Sequence, residues 1–293
     1  MKNLTSGPLP QAVVARTFVT MEPMSSVARL SLALALVSCG AALKPNPLRA
    51  EPVPVRQKEG LIHGFLLLRA STGDLLATGD WSQETNGDRL TSILAFRFKD
   101  GSVHEETAVF TQHRIFRLLT YRLVQKGPAF KRPTDMVLKV STGQVTVHYS
   151  DDGKDKTVTE HLTLPADVAN GIVSTLMHDL DPKSPRTELS MVVSTPKPRL
   201  VKLVISPEGA DAFSIGGATR KATRYVIKIE LGGITGIVAP IVGKQPPDTR
   251  VWMLNGSTPA FLKSEGPLCH ECPIWRIELA SPVWPKSETG EQR

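Results

Sequence analysis

A chain of 293 residues with 41% hydrophobic residues is long enough for one large β domain or two smaller domains. Its formal net charge is +7, but residues 1–50 alone carry five basic residues against one acidic residue. Because we expect that segment to be removed, the remaining chain is close to neutral. It also contains no dense run of lysine or arginine, which argues against nucleic-acid binding.

The first 50 residues have the features of a secretory leader. Residues 30–43 form an uncharged, largely apolar run that follows Arg29. As a helix this run would span only about 21 Å, less than the roughly 30 Å of a bilayer core. It therefore indicates a signal peptide rather than a transmembrane anchor, with Met21 or Met24 as the true start. We expect an exported protein that resides in the periplasm or at the outer envelope.

Two processing routes are open for this leader. The stretch Leu36-Val37-Ser38-Cys39 resembles a bacterial lipobox, which would lipidate Cys39 and make that lipid the only membrane anchor. Alternatively, the leader is cleaved after Ala50. A buried N-terminal helix of the mature domain is the remaining alternative. Residues 51–59 are proline-rich and are expected to form a tether.

The body of the chain, residues 60–285, has the pattern of short strands joined by tight turns. Asn-Gly, Asp-Gly and Thr-Gly pairs recur between β-like segments, and glycine supplies the positive φ that two-residue hairpins need. In the clearest case Phe96 and Phe98 face one way and Arg97 the other, before the turn at Asp100-Gly101. Hairpins at this spacing predict one mainly-β domain with an antiparallel sheet, followed by a disordered tail at 286–293.

One window, residues 165–180, has a helical pattern instead. Apolar residues recur there at helical spacing, namely Val168, Ile172, Val173, Leu176, Met177 and Leu180. Pro165 suits a first helical position, and Asp181-Pro182 would end the helix. We expect a single, strongly curved antiparallel sheet, a half-open barrel, packed around this one central α-helix.

The expected compartment decides how the two cysteines of Cys269-His270-Glu271-Cys272 are interpreted. In an oxidising envelope the spacing predicts a local disulfide between Cys269 and Cys272. A metal site and a redox-active pair are the alternatives. Zinc would need further ligands, and the loop-like surroundings offer nothing that would lower a thiol pKa.

Residues 232–243 are apolar and glycine-rich and depart from the strand pattern. A buried loop that fills one end of the sheet is the simple interpretation. A mobile flap that contacts lipid or a hydrophobic ligand is the alternative.

No catalytic, cofactor or metal motif is complete in this sequence. The chain has no Gly-x-Ser-x-Gly elbow and no His-Glu-x-x-His pair. Glu105 and Glu106 are interpreted as part of a solvated face that pairs with arginines across the sheet. His148, His161 and Glu160 could offer a weak metal or acid–base site, although surface histidines on a polar strand face are commoner. We expect no enzyme activity, no cofactor and no metal.

Three runs carry a resemblance to a known class of proteins. Residues 160–167, 197–203 and 244–252 resemble uncharacterised exported bacterial proteins of a domain-of-unknown-function family. The resemblance covers about residues 60–285 and implies a curved antiparallel sheet around a helix, similar to the periplasmic lipoprotein carriers. It also implies a concave, apolar inner face that can hold an acyl chain.

The expected function is that of a non-enzymatic cell-envelope protein that binds a lipid or another apolar ligand on the concave face of its sheet. The predicted helix and the apolar segment would supply the contacts, through Val168, Ile172, Leu176, Ile234, Ile237 and Val238. An interaction or structural module that holds an envelope protein partner is the alternative. A hydrolase with a noncontiguous site is the second alternative.

Overall fold

A computed structural model describes residues 52–181, 183–194, 197–215, 218–231 and 246–280. These residues form fourteen strands and one short helix, α1 (Val173–Leu176). The strands are β1 (Ile62–Ala70), β2 (Leu75–Asn86), β3 (Arg89–Phe98), β4 (Val103–His113), β5 (Ile115–Lys126), β6 (Thr134–Lys139), β7 (Gln144–Asp151), β8 (Lys154–His161), β9 (Thr187–Val193), β10 (Arg199–Ile215), β11 (Ala218–Glu230), β12 (Thr249–Leu254), β13 (Ala260–Gly266) and β14 (Trp275–Leu279). The predicted signal peptide, Cys39, the segment 232–243 and the tail 286–293 lie outside the described residues.

All fourteen strands belong to one antiparallel sheet. Its order is β8-β7-β6-β5-β4-β3-β2-β1-β14-β13-β12-β11-β10-β9. The pairing of β1 with β14, which includes Leu68 opposite Ile277, joins the early strands to the late ones. Strands β8 and β9 are the two edges, so the sheet is not closed. The predicted mainly-β, antiparallel architecture is confirmed.

The sheet is strongly curved, as one hydrogen bond across it demonstrates. The Gln125 side-chain nitrogen on β5 lies 2.8 Å from the carbonyl oxygen of Leu268, in the loop between β13 and β14. Five strand spacings separate β5 from β14, which in a flat sheet amounts to roughly 24 Å. The Gln125 side chain can reach this carbonyl only because the sheet bends round on itself.

Local turn chemistry accounts for the hairpins. At the turn between β3 and β4, Gly101 adopts a φ of 84°, and the Ser102 backbone nitrogen donates to the Asp100 carboxylate at 2.8 Å. Phe96 and Phe98 are buried while Arg97 is exposed, as the alternation predicts. The hydrophobic effect thus selects the inner face of each strand, and the turn sets the pairing register.

The predicted central helix over 165–180 is wrong. Only Val173–Leu176 is helical, and Ile172 at its start caps it without a side-chain hydrogen bond. The chain ahead of it does not form a helix, because Val168 bridges Ser190 of β9 and the chain then turns at Gly171 with a φ of 70°. Of the apolar residues in the pattern, Val168, Ile172, Leu176, Met177 and Leu180 are all buried. Their spacing reflects burial of an irregular chain, which we call the inner segment (residues 164–180).

None of the helices in the described ranges is long and apolar enough to span a membrane.

The inner segment also covers the outer edge of β9. The Ala169 backbone nitrogen donates to the Ser190 carbonyl at 2.9 Å, and the Ser190 nitrogen donates to the Asp167 carbonyl at 3.3 Å. The buried Asn170 side chain then continues the pairing, since its amide donates to the Val192 carbonyl at 2.7 Å and accepts from the Val192 nitrogen at 2.8 Å. An edge that would otherwise present unpaired backbone groups is thereby satisfied.

The described part of the expected tether lies against the sheet. Val53 is buried, and its carbonyl accepts a hydrogen bond from the Phe116 nitrogen at 3.0 Å. The Val55 nitrogen donates to the Arg114 carbonyl at 2.8 Å. These contacts place residues 53–55 beside the start of β5.

Candidate functional site: a cavity beneath the inner segment

A cavity of about 70 Å³ lies between the inner segment and the concave face of the sheet. Its lining residues are Leu66, Trp81, Ser92, Leu94, Glu106, Gly171, Ser174, Phe261, Ser264 and Ile277. The walls are mainly apolar, and the exposed Ser174 marks a side open to solvent. Within the described lining, Glu106 alone is charged. A mostly apolar pocket with a few polar groups, one of them charged, has the composition of a small-molecule site.

Strand alternation positions the charged group. His104, Glu106, Ala108 and Phe110 share one face of β4 because successive side chains point to opposite faces. His104, Ala108 and Phe110 are buried on that inner face. Glu106 is carried inward with them, and about a fifth of its side chain (21%) remains exposed.

Two side chains hold the Glu106 carboxylate. His104 Nε2 lies 3.0 Å from one carboxylate oxygen, and the Tyr121 hydroxyl on β5 donates to the other at 3.0 Å. Both partners belong to the buried interior of the sheet. The carboxylate is therefore fixed in position before any ligand arrives.

A further hydrogen bond determines which proton His104 carries. The Gln125 amide nitrogen lies 2.8 Å from the Leu268 carbonyl oxygen and 3.1 Å from His104 Nδ1. A carbonyl oxygen can only accept, so the amide NH₂ group faces both atoms and donates to both. Nδ1 therefore accepts, the proton is on Nε2, and His104 donates to Glu106 as a neutral imidazole.

These contacts also set the ionisation of the site. Burial by itself would raise the pKa of Glu106. The hydrogen bond from His104, the charge that His104 carries when protonated and the hydrogen bond from Tyr121 together outweigh burial and lower the pKa below its ordinary value. Burial, together with the charge of Glu106 and the hydrogen bond to it, raises the pKa of Tyr121 well above its ordinary value. At neutral pH the site therefore contains an ionised carboxylate and a protonated phenol.

A second polar cluster anchors the C-terminal end of the inner segment. His178 Nδ1 lies 2.8 Å from the Glu59 carboxylate, and one oxygen of Asp179 accepts from the backbone nitrogens of Arg56 and Gln57 at 2.6 Å and 2.7 Å. The other Asp179 oxygen is buried and has no hydrogen-bond partner in the described part of the chain. The cluster ties the inner segment to residues 56–59.

Asp179→Asn is expected to stabilise the protein more at about pH 7 than at about pH 4. Burial, followed by the nearby charge of Glu59, raises the pKa of Asp179 despite the two backbone hydrogen bonds. A raised pKa means that the folded state binds the Asp179 proton more tightly than the unfolded state. The stability that this proton contributes is complete below the pKa of the unfolded state and is lost as the pH rises through the pKa of the folded state. Asparagine does not titrate, so the variant does not lose this stability.

Urea unfolding at both pH values measures this difference, and Asp181→Asn provides a control of opposite sign. The hydrogen bonds from the Lys183 nitrogen and from Arg56 lower the pKa of Asp181. Its replacement should therefore reduce stability at neutral pH and have less effect in acid. A gain for Asp179→Asn that is equal at both pH values would contradict the proposed cause.

None of the ligand-binding residues predicted from the sequence that the structure describes lines the cavity. Val168, Ile172 and Leu176 are buried in the hydrophobic core, and the cavity lining comes instead from their neighbours Gly171 and Ser174. Ile234, Ile237 and Val238 lie outside the described residues.

Cys269 and Cys272 are joined by a disulfide, with their Cα atoms 5.0 Å apart. The prediction of a local cysteine pair is confirmed.

The histidine site considered on β7 and β8 is not assembled. His148 pairs with Thr157 and bonds its hydroxyl at 2.7 Å, while His161 pairs with Gln144 at the other end of the hairpin. Among the described residues no group of three or more histidine, cysteine or acidic side chains could hold a metal ion.

Glu106 is the residue that the sequence interpretation misplaced, on a solvated face. The signal that could have found it is the period-two pattern with Ala108 and Phe110, two small or apolar residues on the same side of β4. Two adjacent glutamates conceal that pattern, because only one of them can face the core.

No protein-family model matches the chain, and no curated protein matches it. Among solved structures, it is similar to the crystal structure of a β-barrel-like protein of domain of unknown function DUF1849 from Brucella abortus. The TM-score is 0.41 and the sequence identity 11%, over 81% of this chain and 100% of that chain. Such a likeness assigns no activity to this chain.

Proposed function

We propose that this chain is a non-enzymatic, exported binding module that holds a small apolar ligand between its curved sheet and the inner segment. The observation that carries the proposal is the cavity, whose walls include Leu66, Leu94, Phe261 and Ile277. Burial of hydrocarbon against these side chains would supply the binding free energy, at about 0.8 kcal/mol per methylene.

The proposed compartment has two supports. The apolar run at 30–43 has the length of the apolar region of a signal peptide. The disulfide between Cys269 and Cys272 is of the kind that forms and persists in an oxidising envelope. Export would place the binding module where membrane lipids and their fragments are available.

The volume of the cavity limits what it holds. It measures about 70 Å³, whereas an engineered cavity that accepts benzene has about 150 Å³. A ligand as long as an acyl chain would have to displace part of the inner segment. That segment is anchored at both ends, through Asn170 and Asp179, while Ser174 between them is exposed. The middle of the inner segment would therefore have to move aside to admit a lipid, whereas a short ligand would not require this movement.

A titration of the delipidated protein with straight-chain alcohols of four to ten carbons tests the proposal. Trp81 lines the cavity, so its fluorescence should change on binding and the change should be lost in Trp81→Phe. Affinity should rise about fourfold per methylene until the accessible space is filled. The chain length at which the rise stops reports whether the inner segment yields. Native mass spectrometry of protein purified without detergent would identify any lipid carried from the envelope.

Ser174→Leu fills the cavity mouth and should weaken binding of every alcohol. Ser71→Leu, at an exposed position in the β1–β2 turn, is the matched control and should leave binding unchanged. Absence of binding at every length, together with no copurified lipid, would remove the proposal.

That negative outcome would favour a module that holds a protein partner. Leu61, just before β1, and Phe65, on the outer side of β1, are exposed by 80% and 61%. Exposed apolar side chains of this size are candidates for partner contacts.

A further inference from the structure

The cavity combines apolar walls with one ionised carboxylate, and we infer that its ligand is a small ammonium compound. Glu106 would bind the cationic end, and the wall formed by Leu66, Leu94 and Phe261 would bind a short hydrocarbon body. This inference rests on the proposed function and adds the chemical class of the ligand.

The Glu106 carboxylate retains unused hydrogen-bonding capacity. A carboxylate accepts about four hydrogen bonds, and Glu106 receives one from His104 and one from Tyr121. Those donors are buried, whereas part of the carboxylate side chain is exposed and lines the cavity. The free acceptor sites are therefore available to a ligand in the cavity.

At neutral pH the negative charge of Glu106 also has no cationic partner among the described residues. His104 donates as a neutral imidazole, because its Nδ1 accepts from Gln125, and the Tyr121 hydroxyl is neutral. In the described ranges no lysine or arginine nitrogen lies within 4.0 Å of this carboxylate, and His104 is its one basic neighbour at that distance. A partly buried, ionised carboxylate is unfavourable without a counter-charge. A ligand cation would supply that charge.

The same geometry predicts an order of affinity for ligands that have the same carbon chain but different polar groups. An ammonium group donates charge-assisted hydrogen bonds to the carboxylate, which are about twice as strong as neutral ones. A hydroxyl can donate only one neutral hydrogen bond, and a ligand carboxylate would be repelled. The expected order of affinity is therefore amine, then alcohol, then acid.

A four-carbon series, the shortest chain length in the alcohol titration, tests this order directly. n-Butylamine, 1-butanol and butyrate are titrated into the full-length protein at neutral pH and followed by Trp81 fluorescence and calorimetry. Butylamine should bind about tenfold more tightly than butanol, or better, and butyrate should bind more weakly than both.

Glu106→Gln should bring the affinities for butylamine and butanol to within about twofold of each other, because it removes the charge and keeps the size. Glu105→Gln removes a neighbouring charge on the opposite face of β4 and should preserve the preference for the amine. Circular dichroism and thermal unfolding establish that each variant is folded. If Glu106→Gln does not fold, the comparison of amine with alcohol in the unmodified protein decides the question alone.

The outcomes separate the two proposals. Binding of butanol without a preference for butylamine, or a preference that survives in folded Glu106→Gln, would overturn the ammonium inference and leave the apolar site intact. If neither butanol nor any longer alcohol binds, and no lipid copurifies, the proposed function fails. A preference for butylamine that disappears in Glu106→Gln supports both.

Discussion

Gly171→Ala is expected to lower the free energy of unfolding by about 3 kcal/mol. Gly171 has a φ of 70°, in the left-handed region that favours glycine. An added Cβ would also lie 2.8 Å from two ring carbons of Tyr121 and 3.0 Å from the Cβ of Ala108. The inner segment would therefore have to move away from β4 and β5. Urea unfolding, followed by fluorescence and circular dichroism, measures the loss.

Gly153→Ala separates the two contributions. Gly153, in the turn between β7 and β8, has the same φ of 70°, and an added Cβ there would meet nothing within 4 Å. This variant should lose only the roughly 1 kcal/mol of backbone strain. The difference between the variants is then the steric contribution from Tyr121 and Ala108. Equal losses would mean that the inner segment is not packed against the sheet at this point.

Asn170→Ala is expected to destabilise the protein by a similar amount, about 3 kcal/mol. The Asn170 side chain satisfies both the backbone nitrogen and the carbonyl oxygen of Val192. Alanine would leave these two buried groups at the edge of β9 without partners. Hydrogen exchange at Val192 should quicken, and the exposed edge should increase self-association.

Asn255→Ala is the matched control for this change. Asn255 accepts hydrogen bonds from the Thr223 nitrogen and hydroxyl, at 3.1 Å and 2.8 Å, but both contacts are at the exposed surface. Water can replace them, so the expected loss is below about 1 kcal/mol. If Asn170→Ala cost no more than Asn255→Ala, the amide would not be essential to the closure of the β9 edge.

Both large effects concern the inner segment, which also forms one wall of the cavity. Gly171 contributes directly to that wall, and Ser174 stands at its open side. Variants that loosen this segment should therefore change the chain-length dependence of alcohol binding as well as stability. A segment that is held at both ends and exposed in the middle can combine a defined cavity with room for a longer ligand.

The amino-acid sequence alone predicted the features that depend on near neighbours. Alternation in Phe96-Arg97-Phe98 and the turn at Asp100-Gly101 predicted the hairpin between β3 and β4. Likewise, Cys269 and Cys272 are close enough in sequence to pair without regard to the rest of the fold. Such features depend on φ preferences, side-chain direction and short chain separations, which a sequence displays directly.

The tertiary structure decided the remainder. Apolar spacing in 165–180 predicted a helix, but pairing of Val168 and Asn170 with β9 and the turn at Gly171 hold most of it in an irregular path. The adjacent Glu105 likewise concealed the inward position of Glu106 in the sequence, and the contacts with Tyr121 and His104 in the structure establish it. In both cases partners distant in sequence outweigh a local preference, because satisfying buried polar groups is worth more than the propensity of a single segment.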